Sequence, residues 1–141
     1  MADAVDKPAG AARPEFRNIH ITEILGYRMP LGAIVSILHR VSGALLFLIG
    51  LPFLLYLLQQ SLLSEISFEN YRSIVSHWFA RLVLLALAWA YLHHLCAGIR
   101  HLFLDLDIGT DKPKSRTSAA VVLAISLTLT LLVAAKILGV F

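Results

Sequence analysis

The sequence carries little charge and almost no cysteine. Of its 141 residues only 15% are charged, and Val41–Leu58 and Leu82–Ile99 contain no Asp, Glu, Lys or Arg at all. Cys96 is the only cysteine, so no intrachain disulfide can form, and its place in an apolar run reads as small-residue packing. There is no dense Lys/Arg tract and no interleaving of basic with aromatic residues, which argues against a nucleic-acid partner. No nucleophile–base pair and no nucleotide-binding loop is evident, so a complete active site on this chain is not expected. The opening MADAVDKPAGAARPEF has no basic start leading into an apolar core, so it is not expected to act as a secretory signal. Its Ala, Pro and Gly content predicts a mobile tail.

What is abundant is apolar sequence. The chain is 58% hydrophobic with mean hydropathy +0.77, above the roughly 45–50% usual for globular proteins. Three long stretches carry the excess, at about 31–58, 79–104 and 118–140. Each approaches or exceeds the ~20 residues that span a bilayer core as helix. Backbone groups in lipid must be satisfied within the segment, so helix is the expected form. The fold class is therefore an all-α membrane protein: an N-terminal segment over 1–30 and a three-helix transmembrane domain over 31–141. Pro52, two residues after Gly50, predicts a kink in the first span. Lys136 is expected to snorkel to the far interface. Residues 59–77 place Phe68, Tyr71, Ile74, Val75 and Trp78 near helical spacing, which predicts a short interfacial helix leading into the second span. Residues 105–117, with Gly109 and Pro113, read as a loop.

Basic residues set an orientation. Lys7, Arg13, Arg17 and Arg28 precede the first span, and Lys112, Lys114 and Arg116 lie between the second and third. Those two regions share a side; the other side has Arg72, with Arg81 at its margin. The excess of Lys and Arg predicts a cytoplasmic (or mitochondrial matrix) N-terminus and an external C-terminus.

The chemistry is concentrated in two clusters. YLHHLCAGIRHLFLD, residues 91–105, puts imidazoles inside an apolar run. His94 lies ten residues before Leu104, ~15 Å from the inner end and so near mid-membrane. His94 and His101 are two helical turns apart and share a face, with Gly98 between them. A deep imidazole, a gap without a side chain and an interfacial imidazole make a notch for a flat, bulky group such as haem, which imidazole commonly ligates. Arg100 and His101 are placed to meet acidic propionates at the membrane edge. Spacing alone leaves His94 open between ligand and buried hydrogen-bonding residue, and Arg100 and His101 open between propionate contacts and a helix end among headgroups. His93, offset by about 100°, reads as packing or a hydrogen bond, and His20 and His77 as interfacial. The second cluster is SILHRVSG, residues 36–43. Ser36 and Arg40 share a face and offer donors for a small polar head, such as a quinone ring whose tail stays in lipid. The plainer reading has Arg40 snorkelling and Ser36 bonded to its own helix.

SILHRVSG followed by HLCAGIRHLFLD (94–105), with Arg13-Pro14 upstream, resembles the cytochrome b556 membrane-anchor subunits of succinate dehydrogenase, the succinate:quinone oxidoreductase of respiratory complex II. The resemblance covers about residues 13–116. It implies a b-type haem shared with a second anchor subunit, with His94 as this chain's axial ligand to iron. It implies that His39 and Arg40 lie near the haem propionates, and that Ser36 and Arg40 help form the ubiquinone site. The implied partners are a flavoprotein subunit carrying FAD, an iron–sulfur subunit and the second anchor, in a bacterial inner membrane. RPEFRNIHI departs from the Ser-Pro-His that many such subunits carry after Arg-Pro, so no quinone contact is carried over from there. Two other readings stand beside this one: a self-contained cytochrome b with His39 and His94 on one haem, and a haem-free structural anchor.

Overall fold

A computed structural model describes residues 20–139, and all regular structure among them is helical. The expected mobile tail, Arg13-Pro14 and Val140 lie outside the described residues. A short helix α1 (Ile21–Gly26) leads by way of Pro30 into α2 (Leu31–Leu45). A π-helical turn, Leu46–Gly50, joins α2 to α3 (Leu51–Leu62), so the first span is one continuous apolar helix of 32 residues. After α4 (Glu65–Ser76) come the two other long apolar helices, α5 (Trp78–Asp105) and α6 (Lys112–Ile137). All three are long and apolar enough to cross a membrane.

Local sequence explains the boundaries. Near Pro52, where a kink is expected, the helix holds a π turn ending two residues before the proline. The wider turn gives room in the ladder just where the proline ring would crowd the preceding carbonyls. α4 is opened by a reciprocal cap: Ser64 Oγ accepts from the Ser67 amide at 3.1 Å, and Ser67 Oγ from the Ser64 amide at 2.8 Å. It is the short helix expected within 59–77, with Trp78 66% exposed where α5 begins. His77 ends α4 and caps α5, its Nδ1 accepting from the Phe79 amide at 3.3 Å. α5 closes in a Schellman turn: Ile108 N–H reaches Phe103 C=O at 3.0 Å and Asp107 N–H reaches Leu104 C=O at 3.0 Å, with Asp107 at φ 59°. The polar loop is therefore 106–111, shorter than expected. Pro113 belongs to the first turn of α6, where its missing N–H costs nothing.

α5 is the central element, packed on α2 and α6. Val35, Ala97, Ala119 and Val122 form the buried meeting point of the three helices, joined by Leu31, Cys96 and Leu123. Alanines here let the backbones approach closely, as apolar attraction between helices is weak in lipid. Only 17–22% of each apolar span is buried within the chain. The remaining apolar surface, Phe47, Leu48 and Leu131 among the most exposed, suits lipid or another membrane helix.

Candidate functional site

Two helices bring three histidines into one cluster. His39 comes from α2; His94 and His101 come from one face of α5. The His39 and His94 rings lie face to face, centroids 4.1 Å apart and planes 12° apart, and His101 tilts against His39 at 5.0 Å and 49°. The shared face expected for His94, Gly98 and His101 is present, but the space beside Gly98 is not an open notch. A Cβ on Gly98 would lie 3.5 Å from His39 Nε2, so the imidazole of His39 occupies that gap.

His94 is anchored through one nitrogen. Its Nδ1 lies 3.0 Å from the carbonyl oxygen of His39 and 3.3 Å from Ser42 Oγ. A carbonyl can only accept, so Nδ1 carries a proton, and in the neutral ring this leaves the lone pair on Nε2. Ser42, fully buried, gives its own proton to the same carbonyl at 2.9 Å, leaving its oxygen to accept from Nδ1–H. Gly43 makes the approach possible: a Cβ there would sit 2.8 Å from His94 Cε1. Ser42 and Gly43 were not singled out from the sequence, although they follow His39 by three and four residues and so lie on its face.

The neighbouring residues are used differently. His93 is fully buried on another side of α5, its Nδ1 3.4 Å from Ser126 Oγ of α6 and its ring stacked on Trp89 at 5.6 Å. That agrees with a packing and hydrogen-bonding role. Arg100 departs from the expectation of a guanidinium at the membrane edge. It is 7% exposed and turned into α6, where Nε donates to Ser118 Oγ at 3.0 Å and Nη2 to Ser115 Oγ at 2.9 Å and Ser115 C=O at 3.3 Å. Three acceptors on one facing helix turn outweigh snorkelling. Gly32 of α2 leaves room for it, since a Cβ there would lie 3.3 Å from both Arg100 Nη2 and Ser115 Oγ. Ser36 is half-buried and Arg40 exposed on α2, four residues apart; His20 and Lys136 are exposed.

Among the described residues no group of three or more His, Cys, Asp or Glu side chains is disposed to hold a bare metal ion. A single oriented imidazole nitrogen fits instead a metal that arrives with its own equatorial ligands, as haem iron does. A metal-binding histidine typically donates its second nitrogen to a carbonyl, the bond His94 makes here.

A bundle of three helices long and apolar enough to cross a membrane, with an oriented imidazole between two of them, places the chain in a class, the small helical membrane proteins. A profile of the succinate dehydrogenase/fumarate reductase transmembrane subunit matches residues 19–133, and the chain belongs to that family. It is 39% identical over 107 residues to the succinate dehydrogenase cytochrome b556 subunit of Coxiella burnetii, covering 74% of this chain and 82% of that one. It is 33% identical over 93 residues to the subunit of the same name from Paracoccus denitrificans, covering 66% and 71%. The Rickettsia felis subunit of that name is 34% identical over 83 residues, covering 59% and 63%.

Proposed function

We propose that this chain is the haem-carrying anchor of a succinate:quinone oxidoreductase, with residues 31–141 as its membrane domain. His94 Nε2 would hold the iron of a b-type haem from this chain, with a histidine of a second anchor subunit completing the site. The observation that carries this reading is the His94 Nδ1–His39 carbonyl bond, which fixes the tautomer a ligand needs. When bound, the haem supplies a one-electron centre within the membrane. A self-contained cytochrome, with His39 and His94 together holding the haem, is the weaker reading, because the two rings lie face to face, 4.1 Å apart, with no room for a flat group between them.

Ser36, half-buried, and Arg40, exposed, lie four residues apart on the same helix and form this chain's share of a ubiquinone site. Arg40 favours negative charge developing on a quinone oxygen as it is reduced, and Ser36 donates to or orients the ring. His39, Arg40 and His101 would contact the haem's acidic propionates. The basic helix ends face the cytoplasm of a bacterium with the chain in its inner membrane, and there the flavoprotein and iron–sulfur subunits dock and deliver electrons. FAD and the iron–sulfur clusters belong to those subunits, and this chain completes the enzyme without an active site of its own.

The test is a dithionite-reduced minus oxidised absorbance spectrum of the gently purified assembly, wild type against His94→Ala. A low-spin b-type signal in the wild type, lost in an intact variant assembly, is expected. A wild type without a haem signal would sink the ligand role and leave a haem-free anchor.

A further inference from the structure

A second site lies at the basic end of the bundle, adjoining the histidine cluster at His101. The connector before α2, the end of α5 and the first turn of α6 enclose an open cavity of ≈ 990 Å³. Four permanent cations from these three elements line it: Arg28, Arg100, Lys112 and Arg116. Among the described residues no Asp or Glu lines it, and the adjoining Asp111 is engaged elsewhere, 3.0 Å from Lys114. Arg100, 93% buried at the back of the cavity (its exposure is 7%), is held by the α6 hydroxyls with its guanidinium fixed in place. α6 begins here without a side-chain cap, so first-turn N–H groups add to the positive field.

The lining is not only basic. Leu31, Ile34 and Leu104, from the outermost turns of two membrane spans, give it an apolar wall. A cationic rim above apolar helix turns, at the depth where a span meets headgroups, matches a molecule with a negative head and a hydrocarbon stem. We infer that this cavity is a binding site for an anionic phospholipid, its phosphate held by Lys112, Arg116 and Arg28 in front of Arg100 and its first methylenes against Ile34 and Leu104. An acidic peptide would use the rim but not the apolar wall. The inference requires a membrane protein and does not rest on the haem or the quinone site.

The test is retention of lipid by the detergent-solubilised assembly, re-supplied with equal phosphatidylglycerol and phosphatidylcholine and read by native mass spectrometry. The wild type is compared with Lys112→Gln/Arg116→Gln, and with Lys136→Gln at the other end of α6. The wild type and Lys136→Gln are expected to hold phosphatidylglycerol in preference. In the double variant its affinity falls about tenfold or more, with subunit content unchanged, because each membrane-facing cation contributes to anionic-lipid attraction. Equal retention of both lipids by the wild type, or undiminished preference in the double variant, overturns the inference. Loss of peripheral subunits from the double variant with its lipid unchanged also overturns it, making the cations a protein-docking surface. Displacement of the lipid by an equal concentration of inorganic phosphate overturns it as well, since the site would then serve a soluble anion.

Discussion

His39 meets His94 twice, through its ring, stacked at 4.1 Å, and through its backbone carbonyl, 3.0 Å from His94 Nδ1. The two contacts are separable by mutation. His39→Ala removes the stack, worth ~0.5–1.5 kcal/mol, but keeps the carbonyl and with it the His94 tautomer. The variant assembly is expected to retain its b-type absorbance with an altered midpoint potential. Complete loss of the haem in His39→Ala would instead make His39 a ligand, and a redox titration monitored optically distinguishes the two.

Gly43 sets how closely α2 and the His94 ring approach. A methyl at 2.8 Å from His94 Cε1 cannot be accommodated without displacing the ring, an overpacking cost of ~1–3 kcal/mol. Gly43→Ala is expected to lower haem occupancy, measured as pyridine haemochromogen per assembly. Gly26→Ala, with nothing within 4 Å, leaves occupancy unchanged. Equal occupancy in both variants would mean that the ring moves freely.

Arg100 joins α5 to α6 through three hydrogen bonds. Arg100→Ala is expected to destabilise this packing by ~2–4 kcal/mol, as charged hydrogen bonds are lost and a cavity opens. Faster proteolysis within 106–111 and a lower Tm of the assembly would report it. Arg100→Lys recovers only part, since an ammonium lacks the planar fork that spans Ser115 and Ser118. An Ala variant as stable as the wild type would show the clamp to be dispensable.

Arg40 is exposed, so its replacement disturbs no packing. Arg40→Leu is expected to lower succinate:quinone activity by about tenfold or more, the scale of removing one electrostatic stabiliser, while succinate oxidation by a soluble dye changes little. Parallel loss of both activities would assign Arg40 to assembly and not to quinone reduction.

Much of the architecture was legible because hydrocarbon imposes a length and removes charge. The runs around Val41–Leu58 and Leu82–Ile99 could hardly be other than helices. Periodicity also placed His94, Gly98 and His101 on one face. It could not say what stands opposite that face. That His39 fills the gap at Gly98, that Gly43 receives His94, and that Arg100 turns toward Ser115 and Ser118 are properties of how two helices dock. Residues such as 39 and 94 are too far apart in sequence for spacing to relate them. Helix ends were blurred for another reason: α6 begins at Lys112, because a helix continues through polar residues past the edge of the apolar run.

The π turn at Leu46–Gly50 has a further consequence. Its extra residue offsets the phase of the first span by about 100° relative to an uninterrupted α-helix. The half bearing His39, Ser42 and Gly43 and the half bearing Leu57 are thereby indexed separately, with Gly50 seated against Leu87 at the join. Length changes confined to that turn would rotate the C-terminal half like a dial while the N-terminal half kept its setting on His94.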